Sequence, residues 1–403
     1  MALVTQAEAA HSDMKSSAGE KTMCSDPQEP ASLRCAPAPS SQFDSNGILW
    51  VAWSYGGHVY VSTSDDKGQT FKPAMLVNQV PEKISARGEN RPKIVVDKQG
   101  HIYVSWTTPL KKRYTGNIRF SVSNDQGQNF SKPITINDNL DMTGHRFEAL
   151  AVNDQGVIFM AWLDKRERLK AKQQGKKYNG AALYYSYSKD GGKSFSKNQS
   201  IMSHSCECCR VVMAIDKDQL PVVMWRNIYG KNTRDHALVK FLSQDKAGKV
   251  VQVSHDNWQL DACPHHGPAI SIETNGIVSN YHLVWFNNAP QRHGLFYSRM
   301  SDPNKTAQSS PKEPISIGNY DKGASHPDVL SIANKVWLVW REYDGENESI
   351  WLQVSNDQGD SWQQSKIIAQ TQSGSDYPFL IHDQGTVYLQ WQTKEQGFKL
   401  YAL

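Results

Sequence analysis

Pro92-Lys-Ile-Val-Val96, Asp97-Lys-Gln-Gly100, Ile102-Tyr-Val-Ser-Trp106 and Asn117-Ile-Arg-Phe-Ser-Val122 follow one another with only short interruptions. The apolar runs are short, rich in β-branched and aromatic residues, and bounded by Asp, Gln and Gly. They read as strand, tight turn, strand ending in Trp, loop, strand. The next residues, Ser123-Asn-Asp125-Gln-Gly127-Gln-Asn129-Phe130, form a second turn leading to a fourth strand.

The same pattern recurs outward in both directions. Trp closes a short apolar run at Trp53, Trp106, Trp162, Trp225, Trp285, Trp340 and Trp391, with gaps of 53, 56, 63, 60, 55 and 51 residues. Four short antiparallel strands per unit of that length predict a β-propeller blade. One such sheet cannot cover both of its faces, so stacking blades around an axis buries them and closing the ring removes exposed edges. The expected fold is all-β, a propeller of seven blades over residues 35–403, with six blades as the alternative count. The last unit, Asp376 to Leu403, stops after its third strand. Residues 1–34 read as a disordered lead-in that supplies the missing ring-closing strand.

Composition agrees. The 403 residues carry 44 Lys+Arg against 40 Asp+Glu, a net charge of +4, too even for a dedicated nucleic-acid binder. No run of 18 apolar residues predicts a transmembrane helix. No motif for a nucleotide cofactor is present. Six cysteines are too few for a disulfide scaffold. Cys24 and Cys35 flank a Pro-containing turn, and a bridge there suits a periplasmic or secreted protein whose signal peptide has been removed.

The turns between third and fourth strands repeat as Ser64-Asp-Asp66-Lys-Gly68, Ser123-Asn-Asp125-Gln-Gly127, Ser188-Lys-Asp190-Gly-Gly192 and Ser355-Asn-Asp357-Gln-Gly359. Weaker copies lie at Ser243-Gln-Asp245 and Ser301-Asp302. Asp is expected to accept backbone N–H bonds, Gly to take a positive φ, and the following aromatic to plug between strands. This spacing resembles the Asp-box, or BNR, repeat of sialidase-like propellers. The resemblance implies the fold; it does not by itself imply sialidase activity, since the Asp-box is a folding device on the face opposite the active site.

Chemistry belongs where the first strand of each blade opens, because those ends converge on the axis. Arg91, His145-Arg146, Cys208-Cys209-Arg210, Cys263-Pro-His265-His266, His326 and Asp376-Tyr377 occupy these positions. The densest group is Ser203-His-Ser-Cys206-Glu-Cys208-Cys209-Arg210, followed one unit later by Asp261-Ala-Cys263-Pro-His265-His266. Thiolates with imidazoles favour Cu(I) or Zn(II). The candidate metal ligands are therefore Cys206, Cys208, Cys209, Cys263, His265 and His266, for copper before zinc, or for redox chemistry. His145, His204 and His326 are supporting candidates. The competing expectation is a disulfide joining Cys208 or Cys209 to Cys263. Arg follows Cys206-x-x-Cys209 where a c-type haem site needs His.

A second class of function is glycoside hydrolysis of the sialidase type. The resemblance implies an arginine cluster gripping a sugar carboxylate, here Arg91, Arg146 and Arg210. It also implies a tyrosine nucleophile, Tyr377, activated by Glu148 or Glu342, with Asp164 as the acid. The ligand would then be a small anionic glycan. A third class is a binding platform, with a protein partner on the channel face. The basic insertion Asp164–Lys177 is expected to form a short helix over the channel mouth.

Overall fold

The computed structural model describes residues 32–275, 278–305 and 311–403. The strands assemble into seven antiparallel sheets, five with four strands, the fourth with five and the seventh with three. Sequence order is spatial order within each sheet, except that in the fourth both Lys246–Ala247 and Val251–Gln252 pair with His236–Ser243. In the second blade Lys93–Val96 pairs with Ile102–Pro109, which pairs with Gly116–Ser123, which pairs with Ile134–Thr135. The innermost strands are Ser40–Phe43, Lys93–Val96, His145–Val152, Val212–Ile215, Ala269–Asn275, Ser325–Ile332 and Phe379–Asp383. Each packs beside the next, and the seventh packs beside the first, so the sheets close a ring of seven blades.

The tryptophan repeat explains the closure. The seven repeat tryptophans are all fully buried. Each lies against the blade before it: Trp106 packs with Val59 and Val61 of blade one, Trp162 with Ile118 and Phe120 of blade two, and Trp53 with Phe398 of blade seven. Each apolar cluster therefore spans two neighbouring blades, and removing one such ring would cost about 3–5 kcal/mol. The buried indole N–H needs an acceptor, and a residue two places downstream supplies it three times. Trp162 donates to Asp164 at 2.9 Å, Trp225 to Asn227 at 3.2 Å, and Trp340 to Glu342 at 2.8 Å.

The Ser-x-Asp-x-Gly turns form as expected. In the second blade Ser123 Oγ donates to Asp125 Oδ1 (2.8 Å), Gly127 N donates to Ser123 Oγ (2.9 Å) and Asn129 N to Asp125 Oδ1 (2.9 Å). The residue before the glycine is also left-handed: Gln126 has φ 58 and Gly127 φ 84. The aromatic plug is visible at Phe195, which meets Phe120 edge-on across a blade boundary. Ser243 keeps its bond to Asp245 in the degenerate fourth copy.

At the seventh blade Leu33–Cys35 forms a 3-10 turn against the final strand, Gly397–Ala402, and Gln392 Nε2 of the preceding strand donates to Arg34 O at 3.1 Å. Cys35 is disulfide-bonded; Cys24 and most of the expected ring-closing strand lie outside the described residues. No helix among the described residues is long and apolar enough to cross a membrane. The basic insertion does contain a helix, Arg166–Gln173.

Candidate metal centre at the axial mouth

The blade-opening residues meet at the axis, and one residue overlooked in the sequence ties them together. Glu89, in the irregular segment before blade two, is buried. It accepts from Arg210 N at 3.0 Å and from Gly267 N at 2.7 Å, and its Oε1 lies 3.8 Å from His326 Nδ1. One carboxylate from blade two thus holds the openings of blades four, five and six. Beside it runs a stack of rings: Phe286, His266, His326 and Tyr377, with successive centroids 4.1, 4.5 and 3.4 Å apart. The Nδ1 atoms of His266 and His326 are buried without a hydrogen-bond partner, and burial pushes both imidazoles well below their ordinary pKa. They are held neutral.

Two of the three candidate carboxylate-binding arginines are committed to the fold. Arg91 pairs bidentately with Asp376 at 2.5 and 2.7 Å. Arg210 donates to the carbonyls of Pro268 (2.8 Å) and Pro327 (3.1 Å). Arg146 alone is bound by no carboxylate or carbonyl among the described residues; it lies over the Phe147 ring. The expected acid, Asp164, is fully buried. Besides the Trp162 indole, it accepts from Arg166 Nε at 3.0 Å and Nη2 at 2.8 Å, so it caps an indole and anchors a helix. Glu342 is likewise held by Trp340 and by Asn319 N at 2.7 Å. Glu148 is buried and bonded to Thr107 at 2.8 Å, with Oε1 unpartnered; burial pushes its pKa up. Nearby Lys93 is lowered to about 8 by burial. The Tyr377 phenol is pushed up, by burial first and then by Glu89.

The sulfur donors do come together. The Cys206-Glu-Cys-Cys turn links the last strand of blade three, Gln199–Ser205, to the first of blade four, Val212–Ile215. The Cys206 Sγ lies 3.7 Å from the Sγ atoms of both Cys208 and Cys209. All three are buried, and their sulfurs lie within 4.8 Å of one another. Cys208 Sγ belongs to a second group with Cys263 Sγ and a ring nitrogen of His265, again within 4.8 Å; Cys263 and His265 are exposed. All four cysteines are free thiols, so the expected staple between Cys208 or Cys209 and Cys263 is not formed.

His266, expected among these ligands, belongs instead to the ring stack; His265 is left-handed at φ 55, so the adjacent imidazoles diverge. His145 is buried with Nδ1 2.8 Å from Gly116 O, and His204 Nδ1 sits 3.1 Å from Asn179 O. Neither is among the residues grouped around the sulfurs.

Charge is organised around the cluster. Arg234 Nη1 donates to Cys206 Sγ at 3.2 Å. Hydrogen bonds from Cys208 and Cys209, with Arg234 and Arg226 nearby, hold the Cys206 thiol well below its ordinary pKa despite burial. Cys263 is lowered too, by its bond with Cys208, while Cys208 and Cys209 are raised. Glu207, inside the turn, bonds to Lys165 (3.0 Å) and to Arg168 (2.6 Å) of the insertion helix. The helix is therefore docked on the cysteine turn.

These features define a seven-bladed β-propeller with a thiol-rich group on one axial face. An ulvan lyase, a polysaccharide lyase solved with -[GlcA(1-4)Rha3S]- bound, superposes with a TM-score of 0.55 at 11% identity over 93% of this chain and 92% of that one. A protein of unknown function from Dyadobacter fermentans gives 0.52 at 14% identity, over 81% and 95%. An α-L-arabinanase of Penicillium chrysogenum gives 0.51 at 12% identity, over 77% and 92%. This likeness is one of fold. No family model matches the chain, and no curated protein matches it.

Proposed function

We propose that this propeller binds a soft transition metal ion, copper before zinc, through Cys206, Cys208 and Cys209 at its axial mouth. The observation that carries the reading is the spacing of the buried sulfurs, 3.7 Å from Cys206 to each neighbour. Donors about 2.3 Å from a shared ion stand roughly 3.8–4 Å apart. Soft thiolates select Cu(I) and zinc, and structural zinc usually demands four protein ligands. Three buried sulfurs suit Cu(I) better. The Arg234 guanidinium supplies compensating charge next to the sulfur that holds thiolate most readily.

The disulfide at Cys35 favours an exported location. There, three buried free thiols in contact, with Cys263 beside one of them, would oxidise unless a ligand occupied them, which also favours metal. Elemental analysis of protein purified under reducing, anaerobic conditions tests the reading. Stoichiometric copper or zinc, with the equivalent held by the buried set lost in the Cys206→Ser/Cys209→Ser double variant, is expected; metal-free protein that takes up neither ion overturns it.

A second reading, hydrolysis of an anionic glycan, rests on Tyr377 at the axis between Arg341 and Glu89. The Arg341 guanidinium lies 5.5 Å from the Tyr377 ring centre. Arg91 and Arg210 are committed elsewhere and the phenol pKa is raised, so this reading lacks the arginine grip and the activated nucleophile. A fluorogenic sialoside tests it: turnover abolished by Tyr377→Phe would support it, and no turnover would remove it.

A further inference from the structure

We infer that the mouth holds two monovalent soft ions at once, bridged by the Cys208 thiolate; this rests on the metal-binding reading above. The donors divide into two groups of three. Cys206, Cys208 and Cys209 form a buried all-sulfur set. Cys208, Cys263 and His265 form a set whose other two members are exposed. The sets share one atom, Cys208 Sγ, and a thiolate, with several lone pairs, can serve two ions where a neutral imidazole nitrogen, with one, cannot. The sets also come from different blade openings, so the second ion would join blade four to blade five where no disulfide does.

Charge favours the pair. Four thiolates around one monovalent ion would leave a large negative charge in a mostly buried place, which is costly. A second monovalent ion, with Arg234 on Cys206 and Arg146 within electrostatic reach of Cys208 and Cys263, brings the group close to balance. The exposed set is also the one through which an ion can arrive from solvent or from a soft-ligand donor.

The test is an anaerobic titration of the reduced full-length chain with Cu(I) against a chromophoric Cu(I) chelator, paired with copper X-ray absorption. The wild type is expected to take two equivalents and to show a short copper–copper scattering path. Cys263→Ser, at an exposed position, is expected to take one equivalent, lose that path and, when both are metal-free, melt as the wild type does. A wild type that stops at one equivalent, or a Cys263→Ser variant that still takes two, overturns the bridged pair and leaves the single-site reading standing. A wild type that takes none overturns both.

Discussion

Arg234 donates a hydrogen bond of 3.2 Å to the sulfur of Cys206, joining a loop of blade four to the cysteine turn that opens it. The same guanidinium donates to Leu260 O at 3.0 Å, so it also steadies the segment leading to Cys263. Arg234 is thus a positioning residue for both ligand groups. Arg234→Gln is expected to weaken Cu(I) binding about 10–100-fold, the usual cost of losing a partner behind a metal ligand. Competition with a chelator measures it, and unchanged affinity with intact folding would show that the contact has no bearing on the metal.

Gly267 of blade five packs directly against Arg210 at the opening of blade four. A Cβ there would stand 2.2 Å from Arg210 Cγ and 2.8 Å from Arg210 N. Gly267→Ala should therefore push the Cys209-Arg210 backbone away from blade five without removing any donor. We expect a loss of about 1–3 kcal/mol and faster reaction of the buried thiols with a thiol reagent. Thiol labelling at the wild-type rate would contradict this.

The Arg91–Asp376 pair closes the ring, because it joins blade two to blade seven across blade one. Both side chains are almost wholly buried. Asp376→Ala leaves a buried guanidinium unpaired and should cost about 3–5 kcal/mol, read from denaturant unfolding. Arg91→Lys alone should cost less than Asp376→Ala, since Lys keeps a charge opposite Asp376 and loses only the two-point contact. A near-neutral Asp376→Ala would remove this pair from the account of closure.

The turn carboxylates give an acid limb. Side-chain hydrogen bonds from Thr70 to Asp66 and from Ser194 to Asp190 lower both groups to about 2. A folded pKa below the unfolded value means stability that is fully present above pH ~4 and lost as pH falls toward 2. Asp190→Asn should therefore melt lower than wild type at pH 6, and the gap should shrink between pH 4 and 2. A gap independent of pH would show that the charge is irrelevant and the hydrogen bonds alone hold the turn.

The blade repeat was readable because propeller closure needs a large ring at one place per blade, and Trp is conspicuous at that spacing. The cysteine turn was readable for a similar reason: it breaks the repeat. The resemblance gives Asp164 and Glu342 catalytic roles, while their offset of two from Trp162 and Trp340, shared by Asn227 and Trp225, carries a structural explanation for both. Glu89 left no signal. It sits in an irregular segment, and its partners at Arg210 and Gly267 are 121 and 178 residues away in the chain. His265 and His266 could not be told apart in sequence, because a left-handed φ decides which imidazole joins the sulfurs.

The most direct test of the central claim is Cu(I) transfer from a coloured chelator to the reduced chain, compared with the Cys206→Ser/Cys209→Ser variant. The account predicts that the wild type strips the chelator and that the variant, equally folded, loses the buried set. Wild-type protein with all four thiols demonstrably reduced that leaves the chelator loaded would contradict it.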